Sequence, residues 1–480
     1  MTLKLIVLSL YALTIITIGI FGFRKTRSFS DFFLGGGQVG AWMTAFTYGT
    51  AYFSAVMFIG FAGKIGWGHG YSGLWIALGN TMVGVLGVWW LLGERIKRMS
   101  VEYGVHTMAE FLDKRYDSPF LKLFASVSIF VFFIPYTAAV FMGLSYLFRS
   151  TFGIDYTVAL VLMGLFTAVY IVLGGYKSIT MIDVVFGIIM LAGVLVLLGS
   201  VLSEGDGFAN ITNGIAAIDP RLTQVVGPPG WWPLFSLVFL TSVAPLAMPQ
   251  LVQKFYAIKN RRAVRIGMIG SSLFALIVTG VGYYAGATTR FFLNPENAPL
   301  AFKDGQPIAD ALMPEMLTRI IPQGLSVLIL LLILSASMST LAALVLVSSS
   351  TIAKDVYAGF LNRQVSDTGL TRLMRISNAV LVLLSVIMAY FRPSTIVGIL
   401  GISWGAIGAV FLGPFVWGLL SERMTKVGAI TSGTVGLAVC LVLYLTGTPS
   451  PEAGTIGMIV SLILNPLVSY LTPAPRVGRA

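Results

Sequence analysis

Charge is what this sequence has least of. Only 10% of its 480 residues are Asp, Glu, Lys or Arg, where a soluble domain usually carries about a quarter. With 56% hydrophobic residues, no water-facing surface can be assembled from so few charges, and lipid must be the solvent for most of the chain. The single cysteine, Cys440, lies in an apolar run, which excludes a disulfide framework and a thiolate metal site. The two histidines, His69 and His106, are too few and too far apart to suggest a metal centre. Carboxylates inside the apolar runs are scarcer still. Asp183, at the start of one run, is the exception, and nearly every other Asp and Glu reads as loop or helix end. Proton-driven carriers generally relay through a titrating Asp, Glu or His in the membrane, so the scarcity favours a cation held by neutral oxygens. No Ser/His/Asp or metal constellation appears in the runs, and an enzyme is not expected. A channel would need a polar ring or filter loop, and none is apparent.

What is present is a series of long apolar stretches. A spanning helix needs roughly 20 mostly apolar residues. Runs of that kind are Leu3–Phe23, Ala41–Gly60, Leu74–Leu92, Leu123–Leu147, Val158–Leu173, Val184–Leu202, Trp232–Val252 and Ile266–Ala287. Beyond them come Leu325–Ala353, Ile376–Tyr390, Ile396–Leu419, Gly428–Leu445 and Ile456–Leu471, about thirteen in all. They are continuous, not alternating, which excludes a transmembrane β-barrel. The first run is followed, not preceded, by Arg24, Lys25 and Arg27, the reverse of a cleavable signal.

The net charge of +12 does not point to nucleic acid, because the cations sit in short loops between apolar runs. With the N-terminus outside, the inner loops collect Arg95, Lys97, Arg98, Lys114, Arg115 and Lys177. They also take Lys254, Lys259, Arg261, Arg262, Arg265, Lys354, Arg363, Arg372, Arg375, Arg423, Lys426, Arg476 and Arg479. The outer side keeps scattered cations such as Arg149, Arg221, Arg290, Lys303, Arg319 and Arg392. By the positive-inside rule the chain enters from outside and ends inside. Two outer stretches, Ser203–Gly230 and Thr288–Gln323, are rich in Pro, Gly and Asn and read as loops.

The neutral oxygens have a place in the sequence. In the run beginning at Leu331, Ala336, Ser339 and Thr340 stand at i, i+3 and i+4, on one helix face. A carbonyl and two hydroxyls there give three uncharged ligands, and two more can come from a neighbouring helix where it unwinds, since broken backbone is tolerated at membrane depth only where it lines a cavity. The stretch Tyr48–Ala55 is small, polar and Gly-containing, and is where such a helix can open. A second interrupted run, Trp232–Val252, holds Pro233, Pro245 and Pro249. These are the second and seventh runs, and a five-run offset between interrupted helices is the mark of two inverted five-helix repeats.

Taken together, several motifs resemble the sodium/solute symporter family of proline, pantothenate, sugar and sialic acid carriers. They are Asp31-Phe32-Phe33-Leu34-Gly35-Gly36, then Gly174-Gly175-Tyr176-Lys177-Ser178 leading to Asp183, then Pro249-Gln250 with Gln253-Lys254-Phe255. Most specific is Ala336-x-Met338-Ser339-Thr340 with Lys354-Asp355-Val356-Tyr357 downstream. The resemblance covers nearly the whole chain. It implies an all-α polytopic membrane protein of LeuT type. The expected division is an extra first helix (1–30), a first inverted repeat (31–203), an outer loop (204–230), a second repeat (231–419) and two C-terminal helices (420–480). It implies a sodium site made by the carbonyls of Thr50, Phe53 and Ala336 and the hydroxyls of Ser339 and Thr340, with Asp183 beneath it on the release route. Two departures stand out. Ala342 and Ala343 occupy positions where relatives with a second sodium place hydroxyls, so one sodium per cycle is expected. Phe186 replaces a Gln that often follows the buried Asp.

The solute pocket is then expected at mid-membrane, lined by Tyr52, Ser54, Trp75, Asn80, Tyr136, Thr241, Ser242 and Trp404. Lys64, near the outer end of the second run, can attract an anion. The expected partners are sodium, a small polar solute and the bilayer of a bacterial-type cell membrane, for a monomeric carrier working by alternating access. The general look of the chain, including Lys259–Arg265, favours an organic acid such as pantothenate or a monocarboxylate. Proline-type, sugar or sialic acid, and proton-coupled transport are the alternatives.

Overall fold

The computed structural model describes residues 2–25, 33–34, 39–173 and 176–474. The Asp31–Gly36 motif, apart from Phe33 and Leu34, and the Gly174-Gly175 pair lie outside them. So do Arg27, Arg476 and Arg479.

In chain order the helices are α1 (Thr2–Lys25), α2 (Ala41–Tyr52), α3 (56–69), α4 (74–102), α5 (Met108–Tyr116) and α6 (Pro119–Phe152). Then come α7 (Tyr156–Leu173), α8 (Tyr176–Glu204), α9 (Phe208–Ile218), α10 (Trp231–Val243), α11 (Pro249–Ala257) and α12 (Arg261–Ala287). The last are α13 (Ala309–Ile320), α14 (Ser326–Leu361), α15 (Asp367–Phe391), α16 (Ile396–Leu420), α17 (Lys426–Leu445) and α18 (Ser450–Leu471). Among the described residues, ten helical stretches are long and apolar enough to cross a membrane, with α3 and α4 forming one of them; Lys4–Ile20 and Tyr156–Val169 are shorter apolar helices.

Burial sorts these helices. In their most apolar stretches α16 is 89% buried and α14 83%, so these two form the interior. By the same measure α12, α15 and α18 are each 39% buried and α17 33%, and they turn their outer faces to lipid. The helix α2 is ringed by α12, α8, α14 and α11. The first helix is held to this interior by Tyr11, whose ring stacks on Phe186 (5.8 Å) and whose hydroxyl meets Ser335 Oγ at 3.2 Å. The Phe186 that departs from the family pattern therefore serves packing.

Both interrupted runs are broken in space. The first opens at Phe53 and Ser54: Phe53 is extended (φ −108, ψ 122), and α3 begins at Val56. The second passes through a single 3-10 turn, Ala244–Ala247, to Met248, extended at φ −80, ψ 116. A residue before proline is pushed out of the helical region, and Pro249 then starts α11 at a first-turn position where its missing N–H costs nothing.

The stretches read as outer loops are corrected in part. They contain α9, a two-stranded hairpin (Phe302–Lys303 with Gln306–Pro307) and α13. With α13 comes a buried acid that the sequence did not betray. Asp310 is 4% exposed, and its carboxylate accepts from the Ile396 N–H at 3.1 Å, capping α16. Burial pushes the Asp310 carboxyl up to about 6, against the pull of that amide and of Lys64. Lys64 donates to Thr395 Oγ1 at 3.2 Å. Because an amide oxygen can accept the same bond, Asp310→Asn is expected to keep the thermal stability of the protein within about 1 kcal/mol, whereas Asp310→Ala loses the cap at a cost of about 1–2 kcal/mol. Thermal melting of the two purified variants checks the difference.

Candidate functional site

Where α2 stops, its last carbonyls lose the amides that a continuing helix would offer. These carbonyls face α14. The Thr340 hydroxyl lies 3.1 Å from the Ala336 carbonyl, 3.3 Å from that of Ala51 and 3.5 Å from that of Thr50. Beside it, Ser339 Oγ donates to Thr50 Oγ1 at 3.0 Å, and Thr50 Oγ1 donates onward to the Phe46 carbonyl at 2.8 Å. Ser337 pins the far side of the break by accepting from the Ala55 N–H at 3.0 Å.

The structure thus brings Thr50, Ala336, Ser339 and Thr340 together. Phe53 sits at the opening itself, its carbonyl released from helical pairing. The donor set suits a monovalent hard cation: it is neutral and oxygen-only. The spacing suits it too. A cation with oxygens at 2.3–2.6 Å holds neighbouring oxygens about 3.4 Å apart at right angles, close to the separations around Thr340. Ser339 donates its proton away to Thr50, which leaves its lone pairs for an ion.

Below this cluster Asp183 is wholly buried, and neither carboxylate oxygen has a partner within hydrogen-bond geometry. The hydroxyls of Ser339 and Thr47 face it, and the nearby cation is Lys254, 1% exposed on α11 with Nζ 5.0 Å from the Tyr176 ring centre. Gln250, one turn away on α11, has neither amide atom paired. Asp183 is not alone as a buried acid: Asp355, on the last turns of α14, is also fully buried and accepts from Thr107 Oγ1 at 2.8 Å. Like Asp310, Asp355 stands near a helix end, as the sequence reading has it, but it is buried there.

On the other side of the break a small cavity of about 20 Å³ is lined by Tyr52, Ser54, Asn80, Tyr136, Thr241 and Trp404 among the expected residues. Phe53, Val56, Met57, Phe61, Tyr283 and Leu400 complete it. That space has room for about one water, because aromatic rings fill it: Tyr52 stacks on Trp404 (6.0 Å), and Tyr136 meets Trp404 edge-on (5.7 Å). The Tyr52 hydroxyl donates to the Thr241 carbonyl, tying α2 to α10. With its amide turned so that both atoms are satisfied, the Asn80 nitrogen donates to Thr241 Oγ1 at 2.9 Å.

Two expected lining residues stand elsewhere. Ser242 is buried behind the wall, against Asn80. Trp75 does not line the cavity at all: it is 44% exposed, and its Nε1 donates to the Val225 carbonyl of the outer segment at 3.0 Å. No charged side chain lines the cavity. The Trp404 Nε1–H is buried without a hydrogen-bond partner, the Tyr136 phenol being its polar neighbour.

Comparison with known proteins places this architecture. A sequence profile of the sodium:solute symporter family matches residues 32–436. The osmoregulated proline transporter OpuE of Bacillus subtilis is 29% identical over 499 residues, spanning 99% of this chain and 96% of its own. The sodium/pantothenate symporter of Escherichia coli is 29% identical over 475 residues, spanning 95% of this chain and 94% of its own. Among solved structures, a sodium-coupled sialic acid symporter in a substrate-bound outward-open state aligns with TM-score 0.83 and 18% identity over 99% of both chains. The nucleobase-cation-symport-1 family transporter Mhp1, in a closed conformation, aligns at TM-score 0.53 and 14% identity, over 90% of this chain and 93% of its own. At such identities the structural likeness speaks for the fold, which is of LeuT type.

Proposed function

We propose that this chain, which belongs to the sodium:solute symporter family and is a multi-pass, sodium-coupled solute symporter and not an enzyme, carries a small organic monocarboxylate across the cell membrane with one sodium per cycle. The carbonyls of Thr50, Phe53 and Ala336 and the hydroxyls of Ser339 and Thr340 hold the ion. Sodium bound there ties α2 to α14 and completes the solute pocket beyond the break. Asp183, lying below with free oxygens, receives the ion on its way to the inner side. The alanines at 342 and 343, both buried, supply no hydroxyl for a second ion.

The observation that carries the cargo reading is the balance of polar groups in the pocket. The Trp404 indole N–H, which faces the Tyr136 phenol, is a donor that a ligand can take up, while the Thr241 carbonyl receives the Tyr52 hydroxyl. A carboxylate wants donors; an ammonium would need acceptors or an acid, and no acid lines the cavity. The faces of Tyr52, Tyr136 and Trp404 suit an apolar body. The names of the relatives point the same way, since both proline and pantothenate bear a carboxylate.

Charge bookkeeping distinguishes the organic acid from a proline-like zwitterion, the second reading that the relatives favour. A monocarboxylate with one sodium crosses without net charge. A zwitterion with one sodium carries one charge, for which the membrane potential contributes about 2.3 kcal/mol per 100 mV, roughly fifty-fold in accumulation. Uptake into proteoliposomes under a fixed sodium gradient, with and without an imposed potassium-diffusion potential, reads this directly. The proposal expects uptake of pantothenate or a short monocarboxylate that needs sodium and ignores the potential. Sodium-dependent uptake of proline that rises with potential, with no uptake of acids, overturns it.

Trp404→Phe keeps the ring and removes the donor. A hydrogen bond to a charged group is worth about 1.5–3 kcal/mol, so the half-saturating solute concentration is expected to rise about ten- to hundred-fold while the sodium requirement persists.

A further inference from the structure

We propose that the groove between the basic end of α4 and the start of α12 is a binding seat for an anionic phospholipid of the bilayer leaflet on that side. The groove measures about 700 Å³ and is lined by Arg95, Lys97, Arg98 and Arg261, with Glu94 as its one acid and Trp90, Leu91 and Val101 as its apolar wall. It plays no part in the ion or solute site, and the proposal does not depend on what the carrier carries.

The acid does not neutralise the groove. Glu94 Oε2 pairs with Arg261 at 2.8 Å, and its other oxygen faces Arg265 Nε at 3.6 Å. Arg95 and Lys97 reach backbone oxygens, those of Leu91 and Tyr256, so neither finds a counter-charge. Arg98 is exposed and makes no ion pair among those of the described residues. Three uncompensated cations at the end of α4, with the Glu94-paired Arg261 at the start of α12 beside them, form a phosphate seat, and basic pockets between spanning helices on the positive side select acidic headgroups.

The apolar wall says that the phosphate comes with acyl chains. Trp90, on the side of the apolar span, is 75% exposed, far beyond what a soluble anion would use. Trp90 lies two turns, about 12 Å, above Arg98 along α4. Tryptophan at that depth is the usual interfacial anchor, so one molecule can rest its headgroup among the arginines and its glycerol and chains on the indole. The seat also has a mechanical position. Lys97 Nζ donates at 3.3 Å to the carbonyl of Tyr256 in the last turn of α11, the half-helix that follows the second break. A headgroup spanning Arg95 and Arg98 on one side and Arg261 on the other fixes the two helix ends between which α11 terminates.

The test uses the full-length carrier in mild detergent. Native mass spectrometry counts retained lipid after addition of phosphatidylglycerol, phosphatidylcholine or inorganic phosphate as competitor. The unaltered protein is expected to keep phosphatidylglycerol against phosphatidylcholine. Arg95→Gln/Arg98→Gln should retain it roughly thirty-fold more weakly, the worth of two cations near an anionic surface. Arg363→Gln/Arg372→Gln, which removes equal charge from exposed cations of the same basic face, should leave retention unchanged. Equal loss in both double variants, retention of phosphatidylcholine as strong as that of phosphatidylglycerol, or displacement of the lipid by inorganic phosphate overturns the proposal. If Arg95→Gln/Arg98→Gln does not survive purification, Trp90→Ala gives the same reading through the apolar wall: retention falls while the melting temperature holds, and undiminished retention overturns the seat.

Discussion

Sodium-stimulated uptake is expected to vanish when Ser339 and Thr340 are both alanine, with the half-saturating sodium concentration raised by two decades or more. The reason is local. Two of the five oxygens assigned to the ion are removed, and each contact of a neutral oxygen with a full charge is worth about 1.5–3 kcal/mol. Together they amount to about 3–6 kcal/mol, or roughly two to four decades in binding. The remaining carbonyls of Thr50 and Ala336 stay in place because α2 and α14 are held by other contacts, among them the Ser337–Ala55 bond at 3.0 Å. The fold should therefore survive. Thr340→Ser, which keeps the hydroxyl between the Ala336 and Ala51 carbonyls, should retain sodium dependence within about ten-fold, since it gives up only a methyl group of about 0.8 kcal/mol. Uptake by proteoliposomes across a sodium titration is the measurement. If the double variant keeps the sodium curve of the unaltered protein, the ion is held elsewhere.

That Ala336, Ser339 and Thr340 stand together was legible because it depends on nothing beyond helical periodicity. Ala336, Ser339 and Thr340 share a face whatever the helix packs against. The partner was legible for a similar reason: a polar, glycine-containing interruption in an apolar run must line a cavity to be tolerated. The misplacement of Trp75 shows where such reading ends. Trp75 and Asn80 lie five residues apart, which at 100° per residue separates them by about 140° around the axis. If Asn80 faces the pocket, Trp75 cannot, and nothing in the one-dimensional pattern said which of the two faces inward. Met57 and Phe61, and likewise Leu400 and Trp404, are i and i+4 pairs that enter the cavity together. Given either member, helical spacing could have found the other. Tyr283 carried no such signal, because one tyrosine in a span is usually packing. Asp310 was hidden for a different reason. Its segment is polar and proline-bearing like a solvated loop, and only the docking of α13 against the start of α16 buries it.

Substituting Gly286 or Gly66 with valine is expected to leave no folded carrier. A Cβ on Gly66 would overlap the carbonyl group of Gly286, and a Cβ on Gly286 would overlap the carbonyl of Ala62. In both cases the obstructing atoms are backbone. Here α3 and α12 touch main chain to main chain, the close approach that small residues permit in membrane helix packing. Overpacking a well-filled interior usually costs about 1–3 kcal/mol because side chains rotate out of the way; here none can, and the helices must separate. A loss above about 4 kcal/mol is comparable with the whole stability of many domains, about 5–15 kcal/mol. Gly49 makes a useful contrast, since its Cβ would meet only the Phe274 ring, which can turn. Gly280 is the control: it lies on the same helix as Gly286, and a methyl group there would find no other atom within 4 Å. Gly280→Ala should purify and melt like the unaltered protein, while Gly286→Val should be lost or aggregated on size-exclusion chromatography. The crossing packs the half-helix that follows the first break directly against a lipid-facing neighbour. A Gly286→Val protein that folded and transported normally would mean that α3 and α12 are not in contact, and the frame that holds the ion site would have to be redrawn.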